Sequence, residues 1–138
     1  MPEPSEGAAL PTMGQRATRS YTFTAESVAQ FAALVGDGNP IHLDADYAAR
    51  TPFGRPIVHG IFVASLLSAA LGEQLPGPGS IYLGQSLRFE APVYVGETVT
   101  ASVEVIAVRA EKRIVTLRTE CARADGMRVL SGEAVVKC

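Results

Sequence analysis

The most regular pattern lies late in the chain. Val99, Ala101, Val103 and Val105 alternate with Thr98, Thr100, Ser102 and Glu104, the period of a strand with one face in a core. Val115, Leu117, Thr119 and Cys121 alternate with Thr116, Arg118 and Glu120. Asp125-Gly126 then marks a tight hairpin turn, and Leu130, Gly132, Ala134 and Val136 alternate through the last strand. Leu83, Gln85, Leu87 and Phe89 predict one earlier strand, and Tyr21 and Phe23 a short one over residues 20–23. Helical spacing appears twice. Thr24 is a good N-cap for a helix carrying Val28, Phe31, Ala32 and Val35, which Gly36 ends. Residues 61–72 are apolar almost all round and predict a buried helix. Residues 37–55 carry Pro40 and Pro52 and read as irregular, with a short helix started by Asp44. Residues 75–80, Pro- and Gly-rich, are a loop.

One buried helix, a mainly antiparallel set of strands and an earlier strand and helix give an α+β class. A curled sheet wrapped on the central helix satisfies both periodicities. Open sheet edges are a liability, so pairing of two such sheets into a dimer is expected. Residues 1–15, rich in Pro, Gly, Ser and Ala, read as a loose tail with room for part of it to order against the body, and residues 16–138 as one domain.

Composition narrows the class. The 138 residues make one ordinary domain, and 47% hydrophobic against 19% charged residues excludes wholesale disorder. A net charge of −2 argues against a nucleic-acid or anionic-membrane binder. The two cysteines, Cys121 and Cys138, make neither a disulfide framework nor a CxxC pair. No apolar run approaches a membrane span, and the start of the chain lacks the pattern of a secretory signal. A cytoplasmic protein is expected.

The candidate chemistry sits in residues 37–60. The only two histidines are His42 and His59. In Asp37-Gly38-Asn39-Pro40-Ile41-His42, a turn shaped by Gly38 and Pro40 brings a carboxylate and an imidazole together. Such a pair polarises one water, the minimum equipment for general acid–base work near neutral pH. The alternative is an Asp that caps a turn and a His that packs on the core. A metal set of His42, Asp44, Asp46 and His59 fits no zinc pattern. A calcium loop counted from Asp37 fails with His42 at its sixth position. Gly60 falls where the buried helix begins, and its open N–H groups suit a carbonyl oxygen that gains charge; relief of crowding is the other reading. Ser65 and Ser68 share a helix face and are expected to bond back to helix carbonyls. The residues from Arg88 to Arg128 that carry positive charge are spread along strands and turns, as on a solvated sheet.

The two motifs, Asp37-Gly38-Asn39-Pro40-Ile41-His42-Leu43-Asp44 and Arg55-Pro56-Ile57-Val58-His59-Gly60, resemble the hydratase signature of the MaoC-like hot-dog proteins. The resemblance is greatest to the (R)-specific enoyl-CoA hydratases of polyhydroxyalkanoate supply, and it extends over about residues 20–137. It implies a hot-dog fold around the helix at 61–72, and a homodimer with each site opening near the subunit interface. It implies that Asp37 and His42 are the catalytic pair and that the Gly60 N–H polarises a thioester carbonyl. Ser68 falls near the acyl pocket, with Leu71 and Val136 on its floor and Asn39 beside the substrate. The reaction implied is hydration of a trans-2-enoyl-CoA to an (R)-3-hydroxyacyl-CoA, with no metal or cofactor and the CoA thioester as substrate. A hot-dog acyl-CoA thioesterase, an acyl-carrier dehydratase and a non-catalytic acyl-CoA binder are the rivals.

Overall fold

A computed structural model describes residues 9–138. Its elements are β1 (Arg16–Thr22), α1 (Ala25–Val35), α2 (Pro40–Leu43), α3 (Ala45–Ala49), α4 (Gly60–Glu73), β2 (Ile81–Gln85), β3 (Arg88–Phe89), β4 (Thr98–Arg109), β5 (Ile114–Arg123) and β6 (Arg128–Lys137). One antiparallel sheet runs β1-β4-β5-β6-β2, and β3 pairs with β6. Helix α4 touches β1, β4, β5 and β2, from one sheet edge to the other, so the sheet curls round it. This is the helix-in-sheet arrangement of the hot-dog fold.

The alternating strands set the core. Val99, Ala101, Val103 and Val105 of β4, Val115, Leu117 and Cys121 of β5, and Leu130, Ala134 and Val136 of β6 all point inward and are buried. Leu67, Ala70 and Leu71 of α4 meet them. Thr119 is the one polar residue in that inner row, and the Gln85 side-chain amide donates to its hydroxyl at 2.9 Å. The β5–β6 turn forms at Asp125 and Gly126. Gly126 takes φ +86°, and the Asp125 carboxylate accepts from Met127 N–H at 2.9 Å. Helix α1 has the expected limits. Thr24 and Ser27 cap each other reciprocally, and Gly36 closes the helix in the left-handed region at φ +82°.

Four expectations need correction. First, β1 begins at Arg16, four residues before the predicted strand, and Phe23 lies just outside it. Along β1 polar side chains line both faces, so its ladder to β4 leaves no hydrophobic alternation to read. Residues 12–15 of the expected tail are held too. Gly14 N–H donates to the Val105 carbonyl, and Val105 N–H donates to that of Gln15, both at 2.9 Å. The part of the tail at residues 1–8 lies outside the described residues. Second, the single strand predicted around Leu83 and Phe89 is two, β2 and β3. The chain breaks at Ser86, whose carbonyl presses on Gly132, where a Cβ would sit 1.8 Å from that oxygen. Third, Pro40 starts a single helical turn, α2, inside the segment read as irregular. Fourth, α4 is not covered on every side by its own chain. Ile61, Ser65, Ser68 and Gly72 lie along one exposed line, with Ile61 57% accessible. Among the described residues no helix is long and apolar enough to cross a membrane.

Candidate active site

The left-handed turn at Gly36 ejects the chain from α1 and delivers Asp37. The Asp37 carboxylate accepts the Asn39 N–H at 3.2 Å, and the Asn39 side-chain oxygen accepts the Ile41 N–H at 3.2 Å, capping α2. Pro40 fills the first helical position, where no N–H is needed. Two residues on, His42 leaves this turn toward the strand-like segment before α4. That segment is fastened by Ile57 N–H to the Ile41 carbonyl at 3.2 Å and Val58 N–H to the Val93 carbonyl at 2.7 Å.

His42 Nδ1 lies 2.7 Å from the Ile57 carbonyl oxygen. A carbonyl only accepts, so Nδ1 carries the proton, and in the neutral ring Nε2 keeps a free lone pair. Burial pushes the His42 imidazole below its ordinary value of 6.5, against the opposing bond to the Ile57 carbonyl. His59 adds to the lowering and Asp37 opposes it. Neutral His42 is therefore the dominant form near pH 7, and its Nε2 can take a proton.

His59 completes the cluster. It is 2% exposed, it holds the N-cap position of α4, and its Nε2–H donates to the Asp37 backbone carbonyl at 3.1 Å. The His42 and His59 rings stack with centroids 3.7 Å apart and 26° between planes. Behind His59, Phe31 packs edge-on at 4.9 Å, and Phe31 stacks on Phe62 at 4.5 Å. One donor atom from each of Asp37, His42 and His59 lies within 4.8 Å of the others. Two hydrogen bonds from a single water span about 4.4 Å, comparable with the 4.8 Å within which these donor atoms gather. Half of the Asp37 side chain is accessible, so this face is open to an incoming molecule.

The same three residues are the one group of metal-type donors brought together among the described residues. The acids of the sequence-level metal set do not join them: the Asp44 carboxylate instead caps α3, accepting from Asp46 and Tyr47 N–H at 3.0 and 3.1 Å. Donors on a tetrahedral zinc stand about 3.4 Å apart, whereas His59 Nε2 lies 4.0 Å from the Asp37 carboxylate. Two of the cluster's ring nitrogens are also engaged on backbone carbonyls.

Gly60 opens α4, and the first N–H groups of a helix have no partner inside it. It borders a cavity of about 570 Å³ whose walls include Phe53, Ile57, Val63, Phe89 and Val129. A Cβ at Gly60 would stand 2.7 Å from Cε1 of Phe89, so the glycine also answers to crowding. Ser68 lies on the exposed line of α4 and borders a second cavity of about 370 Å³ with Ile61, Tyr82 and Leu87. Ser65 bonds back to the Phe62 carbonyl as expected. Leu71 and Val136 are buried in the core and border neither cavity. Asn39 spends its side-chain oxygen on the α2 cap. His59 is the residue that reading the sequence left out of the pair; the aromatic chain behind it has no sequence signature, because its members are far apart.

A family model described as "MaoC like domain" matches residues 7–124. The chain belongs to the MaoC-like family. Within that family it is 58% identical over 125 residues to the (R)-specific enoyl-CoA hydratase of Aeromonas caviae, covering 91% of this chain and 93% of that one. It is 48% identical over 123 residues to the (R)-specific enoyl-CoA hydratase of Rhodospirillum rubrum, covering 89% and 85%. The solved structure of the A. caviae (R)-hydratase involved in PHA biosynthesis superposes with a TM-score of 0.90 at 54% identity, over 96% of this chain and 98% of that one.

Proposed function

We propose that this MaoC-like chain is an (R)-specific enoyl-CoA hydratase, adding water across the double bond of a trans-2-enoyl-CoA. The observation that carries the reading is the spacing of the Asp37 carboxylate and His42, with Nδ1 of His42 tied to the Ile57 carbonyl and Nε2 left to accept. The pair holds one water. As its oxygen bonds to the β-carbon, one O–H proton passes to the pair. The α-carbon takes a proton from the pair, so one molecule of water is added and none of the groups is consumed. Negative charge moves transiently onto the thioester oxygen, and the N–H at Gly60, at the start of α4, is the donor assigned to meet it. No metal or redox cofactor enters these steps, and the CoA thioester is the substrate. The identity to the hydratases of A. caviae and R. rubrum supports the same chemistry.

The working unit in this reading is a homodimer. The exposed line of Ile61, Ser65 and Ser68 borders β2, an edge strand whose outer ladder has no partner among the described residues and whose Tyr82 and Leu83 are exposed. A second copy covers both features at once. In this reading the protein works in the cytoplasm, a compartment that supplies acyl-CoA. An (R)-3-hydroxyacyl-CoA is the product type that a polyhydroxyalkanoate route consumes.

The test is an assay of the purified chain with crotonyl-CoA. Loss of the conjugated enoyl absorbance, with (R)-3-hydroxybutyryl-CoA as product, is expected. Release of free thiol without that product assigns a thioesterase instead, and turnover restricted to acyl-carrier thioesters assigns a dehydratase of that class.

A further inference from the structure

We propose that His59 is a positioning residue for the hydration reaction, holding Asp37 by its backbone and His42 by its ring so that the two keep one water between them. The inference rests on the hydratase reading for its catalytic consequence, and on geometry alone for its structural one.

Three contacts meet in this side chain. Its Nε2–H donates to the Asp37 carbonyl across 22 positions of sequence, which fixes the backbone from which the carboxylate projects. Its ring face lies on His42, 3.7 Å between centroids, beside the ring whose Nδ1 is tied to the Ile57 carbonyl. Its own backbone precedes Gly60 and accepts from Phe62 and Val63 N–H at 3.0 and 3.1 Å, so it also sets the start of α4.

Packing alone does not explain a histidine here. The slot is apolar on one side, where Phe31 meets the ring edge-on. Nδ1 is buried with no hydrogen-bond partner among the described residues. A buried polar atom without a partner is unfavourable. Phenylalanine would fill the same slot without that cost. What histidine adds is the Nε2–H, and that bond goes to the residue carrying the carboxylate. Asp37 needs the restraint: it lies in a half-exposed turn, and its carboxylate is otherwise engaged by the single N–H of Asn39 and by the more distant His59 ring at 4.0 Å.

Two substitutions separate the contacts. His59→Phe keeps a ring against His42 and Phe31 and removes the donor. His59→Gln keeps a donor at the Nε2 position and removes the ring face. With crotonyl-CoA, each is expected to lower kcat about 10- to 100-fold with KM changed by less than about threefold, because misplacement of a reacting group acts on the chemical step. In the Asp37→Ala background, His59→Phe is expected to lower kcat by less than about twofold further. A crystal structure of either folded variant is expected to show the Asp37 carboxylate and His42 Nε2 parted by more than about 5.6 Å, the end-to-end limit of two hydrogen bonds. Unchanged kcat in both variants, a loss that multiplies fully with that of Asp37→Ala, or a pair still within bridging distance overturns the proposal. Normal turnover by Asp37→Ala itself is a different result: it removes the catalytic pair, and the crystal structures then decide the positioning role alone.

Discussion

At the scale of single residues, the site works by removing choices. The Ile57 carbonyl fixes which nitrogen of His42 is protonated, and burial keeps the ring neutral near pH 7. That burial has a consequence for stability. The folded chain binds the His42 proton less readily than the unfolded chain, so this contribution is fully present above pH 6.5 and is lost as the pH falls from there through the folded-state value. Thermal melts at pH 7.5 and pH 5 are expected to show a larger drop in Tm for the natural chain than for His42→Gln; equal drops would contradict it. Gly60 offers a second residue-scale prediction. In Gly60→Ala, the new Cβ meets the outer edge of Phe89, a ring 55% exposed and free to swing, so the stability loss stays within about 2 kcal/mol. Turnover is expected to fall about tenfold as approach to the helix N–H is obstructed. Recovery of full turnover in Gly60→Ala combined with Phe89→Ala would leave the glycine with crowding relief as its whole role.

At the scale of elements, legibility followed burial. β4, β5 and β6 face a core on one side, so their alternation is strong enough to read in the sequence. Thr24 and Gly36 were legible for a local reason, since a cap is made by residues within one turn. Edge strand β1 has no such contrast between its faces, and α2, at four residues, is too short for any period. The pairing of Asp37 with His42 could be proposed because Pro40 and the turn lie between them. The stack of His42 on His59 could not, because it depends on how two distant segments dock. The break between β2 and β3 was hidden for the same reason: Gly132, on which the Ser86 carbonyl presses there, is on another strand. Gly132→Ala would drive a Cβ into the Ser86 backbone carbonyl, which cannot rotate away. A loss of at least about 2 kcal/mol in urea unfolding is expected. A loss below about 0.5 kcal/mol would mean that the β2–β3 break is loose.

At the scale of the whole molecule, the fold leaves one thing unfinished. A helix wrapped by its own sheet still exposes the line of Ile61, Ser65, Ser68 and Gly72, next to a strand edge without a partner among the described residues. In solution, light scattering is expected to give twice the 14.5 kDa chain mass. Leu83→Glu, which sets a charge on that edge, is expected to give a monomer with turnover reduced about tenfold or more. A monomeric natural chain with full activity would contradict the dimer.

The hydration chemistry itself has a more direct test, made on the two side chains assigned to it. Asp37→Ala and His42→Ala are assayed for crotonyl-CoA hydration beside the natural chain, with folding checked by circular dichroism. The natural chain is expected to give an (R)-3-hydroxy product, and each variant to lose about 10²- to 10⁴-fold in kcat. Near-normal turnover by either folded variant would contradict that assignment.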